Sequence, residues 1–141
     1  MPLELPTSLS PSKVSTFKDC ALAFRFSAID RLPEPPSAPA VKGTLVHRAL
    51  ELLFCAGPQA RTREFAHQCL AQAVADLDTD DEFLGLGLDD AAKAEFVADA
   101  AVMVDRYFTL EDPTTITPIG IELRLEVEVC DLRLRGIIDR L

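Results

Sequence analysis

The sequence predicts an α+β fold, with three to four amino-terminal helices followed by an antiparallel β-hairpin that begins an incomplete sheet. Two observations support this prediction. Apolar residues recur at helical spacing as far as Leu110, and from Ile119 onward they alternate with charged residues, which is typical of strands. The chain has 141 residues and is 48% hydrophobic, so it is long and apolar enough for a core. We predict a single domain over residues 1–141.

The helices are predicted from N-cap residues that precede apolar residues at helical spacing. In the first helix a proline follows the serine N-cap directly, at the position where proline is favoured, and the apolar side continues to Phe24. Gly57 and Pro58 are expected to end the second helix. The four helices are expected to begin at Ser10–Pro11, Val41, Thr62 and Asp89–Asp90.

Two segments between the helices are also informative. The run "LPEPPSAPA" has four prolines in nine residues, which predicts an extended, flexible linker at about residues 33–40. The run "DLDTDDEFLGLGLDD" has the acidic composition of a calcium-binding loop. However, Asp81 occupies the position that needs glycine, and Gly87 the one that needs glutamate. We therefore reject a calcium site there.

The carboxyl-terminal segment predicts a hairpin. A first alternating run leads to Cys130–Asp131, which forms a modest turn, and "LRLRGIIDRL" alternates again. The first strand is expected to be half-buried, with its apolar residues on one face. On the polar face the turn predicts two cross-strand ion pairs, which would be Glu128 with Arg133 and Glu126 with Arg135.

Charge and cysteine content restrict the function. The net charge of −9 argues against a broad electrostatic grip on DNA, although four arginines are concentrated near the carboxyl end. The four cysteines include no C-x-x-C pair, so neither a zinc knuckle nor a disulfide framework is indicated. No apolar stretch approaches the roughly 20 residues of a membrane span, and the amino terminus lacks signal-peptide features. We expect a cytoplasmic protein without membrane contact. The four arginines near the carboxyl end are Arg124, Arg133, Arg135 and Arg140.

Three polar residues are candidates for a site. His47 lies in the second helix one turn after Gly43, which leaves an uncrowded surface, although a lone helical histidine is more often structural. Asp139 follows two isoleucines, and a carboxylate among buried apolar neighbours needs a hydrogen bond, a cation or a metal. The hairpin register places Glu122 opposite Asp139. Because two facing carboxylates repel unless they share a proton or cation, Glu122 is a candidate metal ligand or neighbouring acid.

The chain resembles the RecB-like nucleases of the PD-(D/E)XK superfamily. The matching stretches are "LSPSKVSTFKDCALAFRF", "KGTLVHRALELLF" with its G-x-x-x-H, and "LRLRGIIDRL" with its G-x-x-D-R, in the same order as in the family. The resemblance implies that His47 and Asp139 are catalytic ligands of one divalent ion, Mg²⁺ or Mn²⁺. It also implies a further acid-x-Lys strand motif, which is absent from the 141 residues. We therefore expect that this chain is the amino-terminal portion of a nuclease domain and is inactive alone.

The same resemblance implies two further partners. Many relatives hold a 4Fe-4S cluster whose first ligand is a cysteine at the position of Cys20. The alternative interpretation of Cys20 is a buried thiol, because free cysteine is among the most buried residue types. A helicase subunit or domain is the expected protein partner.

The leading functional hypothesis is a metal-dependent DNA exonuclease of recombination and repair. Phosphodiester hydrolysis builds negative charge on phosphoryl oxygens, and a metal ion stabilises that charge and activates water. Two alternatives stay open: a nuclease-derived module that binds DNA or a protein without cutting, and an acidic helical adaptor, which the net charge would suit.

Overall fold

The computed structural model describes residues 4–141 and divides into two compact units. The hairpin unit contains the described part of residues 1–34 together with Glu122–Leu141, and the helical unit contains Pro35–Ile121. Within the described residues, six α-helices precede one antiparallel hairpin, so the α+β prediction is confirmed. None of the helices described is long and apolar enough to cross a membrane.

The elements follow one another along the chain with two short helices that the sequence did not predict. These are α2 and α5, whereas α1, α3, α4 and α6 correspond to the four predicted helices. The bounds are α1 Pro11–Asp19, α2 Ala21–Phe24, α3 Ala38–Cys55, α4 Arg63–Leu77, α5 Asp81–Gly85, α6 Asp90–Leu110, β1 Ile121–Val129 and β2 Leu132–Arg140. A π-helical turn covers Arg25–Ile29, and 3-10 turns cover Pro58–Ala60 and Pro113–Thr115.

The first predicted helix is interrupted at Cys20, so the expectation of one apolar side continuing from α1 to Phe24 is wrong. Cys20 has an extended backbone, with φ −157° and ψ 107°. Its Sγ accepts a hydrogen bond from the backbone N–H of Ala23 at 3.5 Å and thereby caps α2. The cap begins a new helix where the apolar pattern alone would have continued the old one.

The predicted flexible linker at residues 33–40 is also partly wrong. Helix α3 begins at Ala38, and the hydroxyl of Ser37 accepts the N–H of Ala40 at 3.3 Å as its N-cap. Pro39 is compatible with this first turn because helical N–H groups there have no intrahelical acceptor. Pro39 therefore helps to start α3, and only the part of the predicted linker before Ala38 lies outside a helix.

The core of the helical unit forms where α3 packs against α4 and α6. Leu53, Ala100 and Val104 are fully buried, with 0% exposure. Helix α5 closes one side of this core through Phe83, whose ring centroid lies 5.6 Å from that of Phe96. The acidic segment in which we rejected calcium therefore contributes a packed aromatic side chain, and Asp80 caps α5 by accepting two backbone N–H groups.

Arg61 is a buried cation, only 5% exposed, between the 3-10 turn and α4. Its guanidinium donates to four backbone carbonyls and lies 4.7 Å from the ring centroid of Phe54. The shortest of these bonds, 2.7 Å, reaches Ile116, which follows α6. Arg61 thus joins the end of α3 to the segment that leads into β1. Its acceptors are the carbonyls of Phe54, Ala56, Pro113 and Ile116.

The hairpin turns at Cys130–Asp131, as predicted, and its loop has two residues. Both residues have positive φ, 48° and 66°, which is the conformation of a type I′ turn and fixes the register between the strands. Arg133 confirms that register through its ion pair with Glu128, at 3.7 Å. The second expected pair is different, because Glu126 contacts Arg133 at 3.4 Å, diagonally across the strands.

The apolar face of the hairpin is less covered than the sequence predicted. Val127 is 54% exposed, and Leu125 and Val129 are each 47% exposed, so the expectation of a half-buried β1 is wrong for this part of the strand. Alternation correctly predicted which residues share a face. It could not predict how much of the chain would cover that face.

Arg61→Met is expected to lower the free energy of unfolding by about 3 kcal/mol or more, because it leaves several buried carbonyls without donors. Arg61→Lys should lower it by a smaller amount, since an ammonium retains charge but lacks the planar fork. Urea unfolding followed by circular dichroism measures both changes.

The matched control for Arg61→Met is Arg63→Met, because the Arg63 side chain is 54% exposed. A surface arginine of this kind should change stability by less than about 1 kcal/mol. Equal effects of the two substitutions would contradict the role assigned to Arg61.

Asp131→Gly is expected to stabilise the hairpin, because glycine favours a backbone with φ of 66° that an L-residue adopts at a cost. A gain of roughly 0.5–1 kcal/mol corresponds to amide exchange in β1 and β2 that is slower by about twofold to fivefold. Asp131→Ala removes the same carboxylate but keeps a Cβ, so it should give no such protection. Faster exchange in the glycine variant would refute the turn assignment.

Candidate functional site

His47 lies on the outer face of α3. It is exposed, while Val46 and Ala49 beside it are buried in the core. His47 is therefore not a histidine packed into the core, and its imidazole can be reached from solvent. Helix α3 presents His47 outward because its apolar residues recur at the helical spacing that directs them inward.

The surface one turn before His47 is open, as the sequence predicted. A Cβ added at Gly43 would meet no atom within 4 Å in the described residues. Packing within the helical unit therefore does not require glycine at this position. Gly43 leaves room for another strand or a substrate backbone to approach α3 closely.

Asp139 lies near the end of β2 and is exposed. In β2 the less exposed residues alternate with exposed ones, and Asp139 shares the exposed face with Ile137, which is 55% exposed. The sequence argument that Asp139 lies among buried apolar neighbours, and so needs a compensating partner, is therefore wrong. Its candidacy depends on the G-x-x-D-R motif instead.

Glu122 lies at the start of β1 and is partly buried. The strands that carry Glu122 and Asp139 are paired, as the metal-ligand hypothesis requires. However, Glu122 has a φ of 51°, so its backbone departs from the extended conformation that would place its side chain by simple alternation. Its role next to Asp139 stays a prediction.

The metal site expected from the resemblance can be tested against the donors present. Between residues 4 and 141, no group of three or more His, Cys, Asp or Glu side chains is arranged to hold an ion. Imidazole nitrogen and carboxylate oxygen are suitable donors for Mn²⁺ or Mg²⁺ in type. In number, the described residues do not fit a complete site.

The cysteines differ in accessibility. Cys20, Cys55 and Cys130 are exposed, whereas Cys69 is buried on α4. Burial raises the pKa of the Cys69 thiol above its usual value, and the nearby Cys55 adds to that shift. The buried-thiol interpretation of Cys20 is wrong, because its exposed sulfur lies at the break between α1 and α2. The cluster-ligand interpretation stays a prediction.

Charge is divided unequally between the two units. The hairpin unit has eight of the fourteen Lys and Arg residues and nine of the 23 Asp and Glu residues, which gives −1. The helical unit has the other six cations and fourteen acids, which gives −8. Nearly all of the net charge of −9 therefore belongs to the helices. The electrostatic objection to DNA binding applies much less to the hairpin unit.

Sequence reasoning predicted the pair of Arg133 with Glu128 but missed that Arg135 makes no ion pair in the described part of the chain, because Glu126 contacts Arg133 diagonally instead. Arg133 is paired with two glutamates, at 3.4 and 3.7 Å. Among the described residues, Arg124 and Arg135 make no ion pair. The hairpin register and the clustering of arginines near the carboxyl end were the signals in the sequence.

Comparison with known proteins identifies the family. A family model described as the PD-(D/E)XK nuclease superfamily matches residues 8–141, which is nearly the whole chain. No curated protein and no solved structure matches the chain significantly. Members of the matched superfamily are generally nucleases that hydrolyse phosphodiester bonds, and they typically use Mg²⁺ or Mn²⁺. The chain belongs to the PD-(D/E)XK nuclease superfamily.

Proposed function

We propose that the protein is a metal-dependent DNA exonuclease of the RecB-like branch, acting in the cytoplasm in recombination and repair. The family match over residues 8–141 is the observation that carries the proposal. It is supported by the accessibility of His47 and Asp139, the two residues that correspond to the RecB-like motifs. A helicase subunit or domain is the proposed partner.

His47 and Asp139 are the proposed metal ligands and catalytic residues, with Glu122 as a further acid. When a divalent ion is bound, it supplies stabilisation of phosphoryl charge and a more acidic water molecule. His47 would contribute a neutral imidazole nitrogen, and Asp139 a carboxylate held on a strand. A strand and a packed helix suit this task, since regular backbone holds ligands in defined positions.

The 141 residues contain no acid-x-Lys motif after Asp139. In the proposed function this motif supplies another ligand and a cation near the reacting phosphate. We therefore expect the 141-residue chain alone not to hydrolyse DNA.

A second candidate function is a nuclease-derived module that binds DNA or a protein without cutting. The lack of a three-donor group among the described residues favours it. The acidic helical adaptor is weaker, because the family match covers the hairpin as well as the helices. Cleavage by the full-length protein would separate the enzyme from both alternatives.

The full-length protein is expected to cut DNA only when Mg²⁺ or Mn²⁺ is present. His47→Ala and Asp139→Ala should each reduce the rate by on the order of 100-fold or more, because each removes a proposed ligand. The measurement is release of labelled nucleotides with each metal and with EDTA, after circular dichroism has established that the variants fold.

His67→Ala is the control for the histidine variant. The imidazole of His67 lies 3.0 Å from Asp105 in the helical unit and has no proposed ligand role. Glu128→Gln is the control for the acid, since Glu128 is exposed and lies near the hairpin turn. Both should keep most of the activity. Near wild-type cleavage by folded Asp139→Ala would remove Asp139 from the proposed site.

Full-length protein purified without oxygen is expected to be brown and to contain iron if Cys20 is a cluster ligand, and Cys20→Ser should bleach it. Cys55→Ser, also at an exposed cysteine, is the control and should keep the colour. Visible absorbance and iron content measure the result. A colourless, iron-free wild type would end the cluster hypothesis.

A further inference from the structure

We propose that Arg124 and Arg135 bind the sugar-phosphate backbone of DNA in a groove of the hairpin unit. This inference rests on the proposed function, and it assigns the DNA contacts that the family match leaves open. The arginines are binding residues in this proposal and have no part in the chemistry of hydrolysis.

The groove lies between the amino end of α1 and the hairpin and has a volume of about 640 Å³. Ser10 and Ser12 line it from α1 and its cap, while Arg124, Arg135 and Ile137 line it from the strands. It is therefore a mixed surface that offers cations, hydroxyls and apolar contact. That combination suits a sugar-phosphate chain better than an apolar peptide.

The chain segment before α1 is fixed to β2, which is why the groove exists. Leu9 donates its N–H to the carbonyl of Arg133 at 2.9 Å and accepts from the N–H of Arg135 at 2.8 Å. These two bonds place the start of α1 beside Arg135. Because backbone hydrogen bonds hold both the segment before α1 and β2, the groove needs little reordering of the chain when a ligand binds.

The two arginines are available for a ligand. In the part of the chain that the structure describes, neither Arg124 nor Arg135 makes an ion pair. Arg133, which lies between them in the sequence, forms ion pairs with Glu126 and Glu128. Glu126 also lines the groove, and its pairing with Arg133 reduces the repulsion that a phosphate would meet there.

The register makes Arg124 and Arg135 diagonal neighbours. The two-residue turn places Arg135 opposite Glu126, and Arg124 is two residues from Glu126 on the same face. Diagonal side chains on paired strands lie about 7–8 Å apart, so the backbone of one nucleic acid strand could contact both guanidinium groups. Asp139 lies farther along this face by the same alternation. The groove would therefore direct the backbone towards the proposed catalytic acid.

The distribution of charge supports DNA as the occupant. In the helical unit, ion pairs hold Lys42, Arg48, Arg63 and Lys93, and carbonyls surround Arg61. Arg106, the sixth cation of that unit, makes no ion pair among the described residues, whereas in the hairpin unit two unpaired arginines, Arg124 and Arg135, line the same groove. A polyanion gains from them, because each phosphate contact releases a condensed counterion.

The experiment measures binding apart from cleavage. Fluorescence anisotropy with a labelled oligonucleotide, single-stranded and duplex, is recorded in EDTA for the 141-residue chain over a range of salt concentrations. Arg124→Gln and Arg135→Gln should each weaken binding about threefold to tenfold at low salt. Each should also reduce the slope of log K against log salt by about 0.7–0.9.

Arg106→Gln is the matched control, because it changes the net charge equally but lies exposed on α6 in the helical unit. It should leave affinity and slope close to wild type. Equal weakening by all three variants would mean a general charge effect and would overturn the proposal. An unchanged slope in both groove variants, or no binding by the wild type, would overturn it as well.

The outcomes also separate this inference from the proposed function. DNA binding that does not depend on the two arginines, together with metal-dependent cutting by the full-length protein, would overturn the groove and leave the nuclease. Arginine-dependent binding without any cutting by the full-length protein would support the groove and favour the non-catalytic DNA-binding alternative.

Discussion

The hydrogen bonds of Arg61 are the interaction on which the helical unit depends most. A buried guanidinium without a carboxylate partner is costly, and here the carbonyl dipoles of two separate segments offset that cost. Because Pro113 lies 52 residues away in the sequence, its bond to Arg61 closes a loop that includes α4, α5 and α6. The position at which the chain leaves the helices for β1 is thus defined by one side chain.

The hairpin depends on different physics. Its register comes from two residues with positive φ, and backbone bonds from Leu9 fix the segment before α1 against β2. Its apolar face contributes less than the sequence suggested, since several of its residues are about half exposed. A hairpin of two strands is marginal by itself, so backbone geometry and the contacts of α1 must carry more of its stability.

Local signals allowed much of the fold to be predicted. Thr62 and Asp89 cap α4 and α6 as expected, because an N-cap acts within its own turn. The break at Cys20 was missed because sulfur is a weak acceptor and cysteine is not a usual cap. For the site, His47 and Asp139 could be selected from motifs. The pair of Arg133 with Glu128 could also be predicted, from the hairpin register, whereas the carbonyl partners of Arg61 could not, because they depend on contacts between segments distant in sequence.

The division of charge makes the two units respond differently to an approaching polyanion. With −8 on the helices and −1 on the hairpin unit, a polyanion at a distance of one or two Debye lengths is repelled far more strongly by one unit than by the other. Diffusing strands would therefore meet more repulsion at the helical unit, and collisions there would be short-lived. The acidic helical unit would in this way lower the rate of association at its own surface.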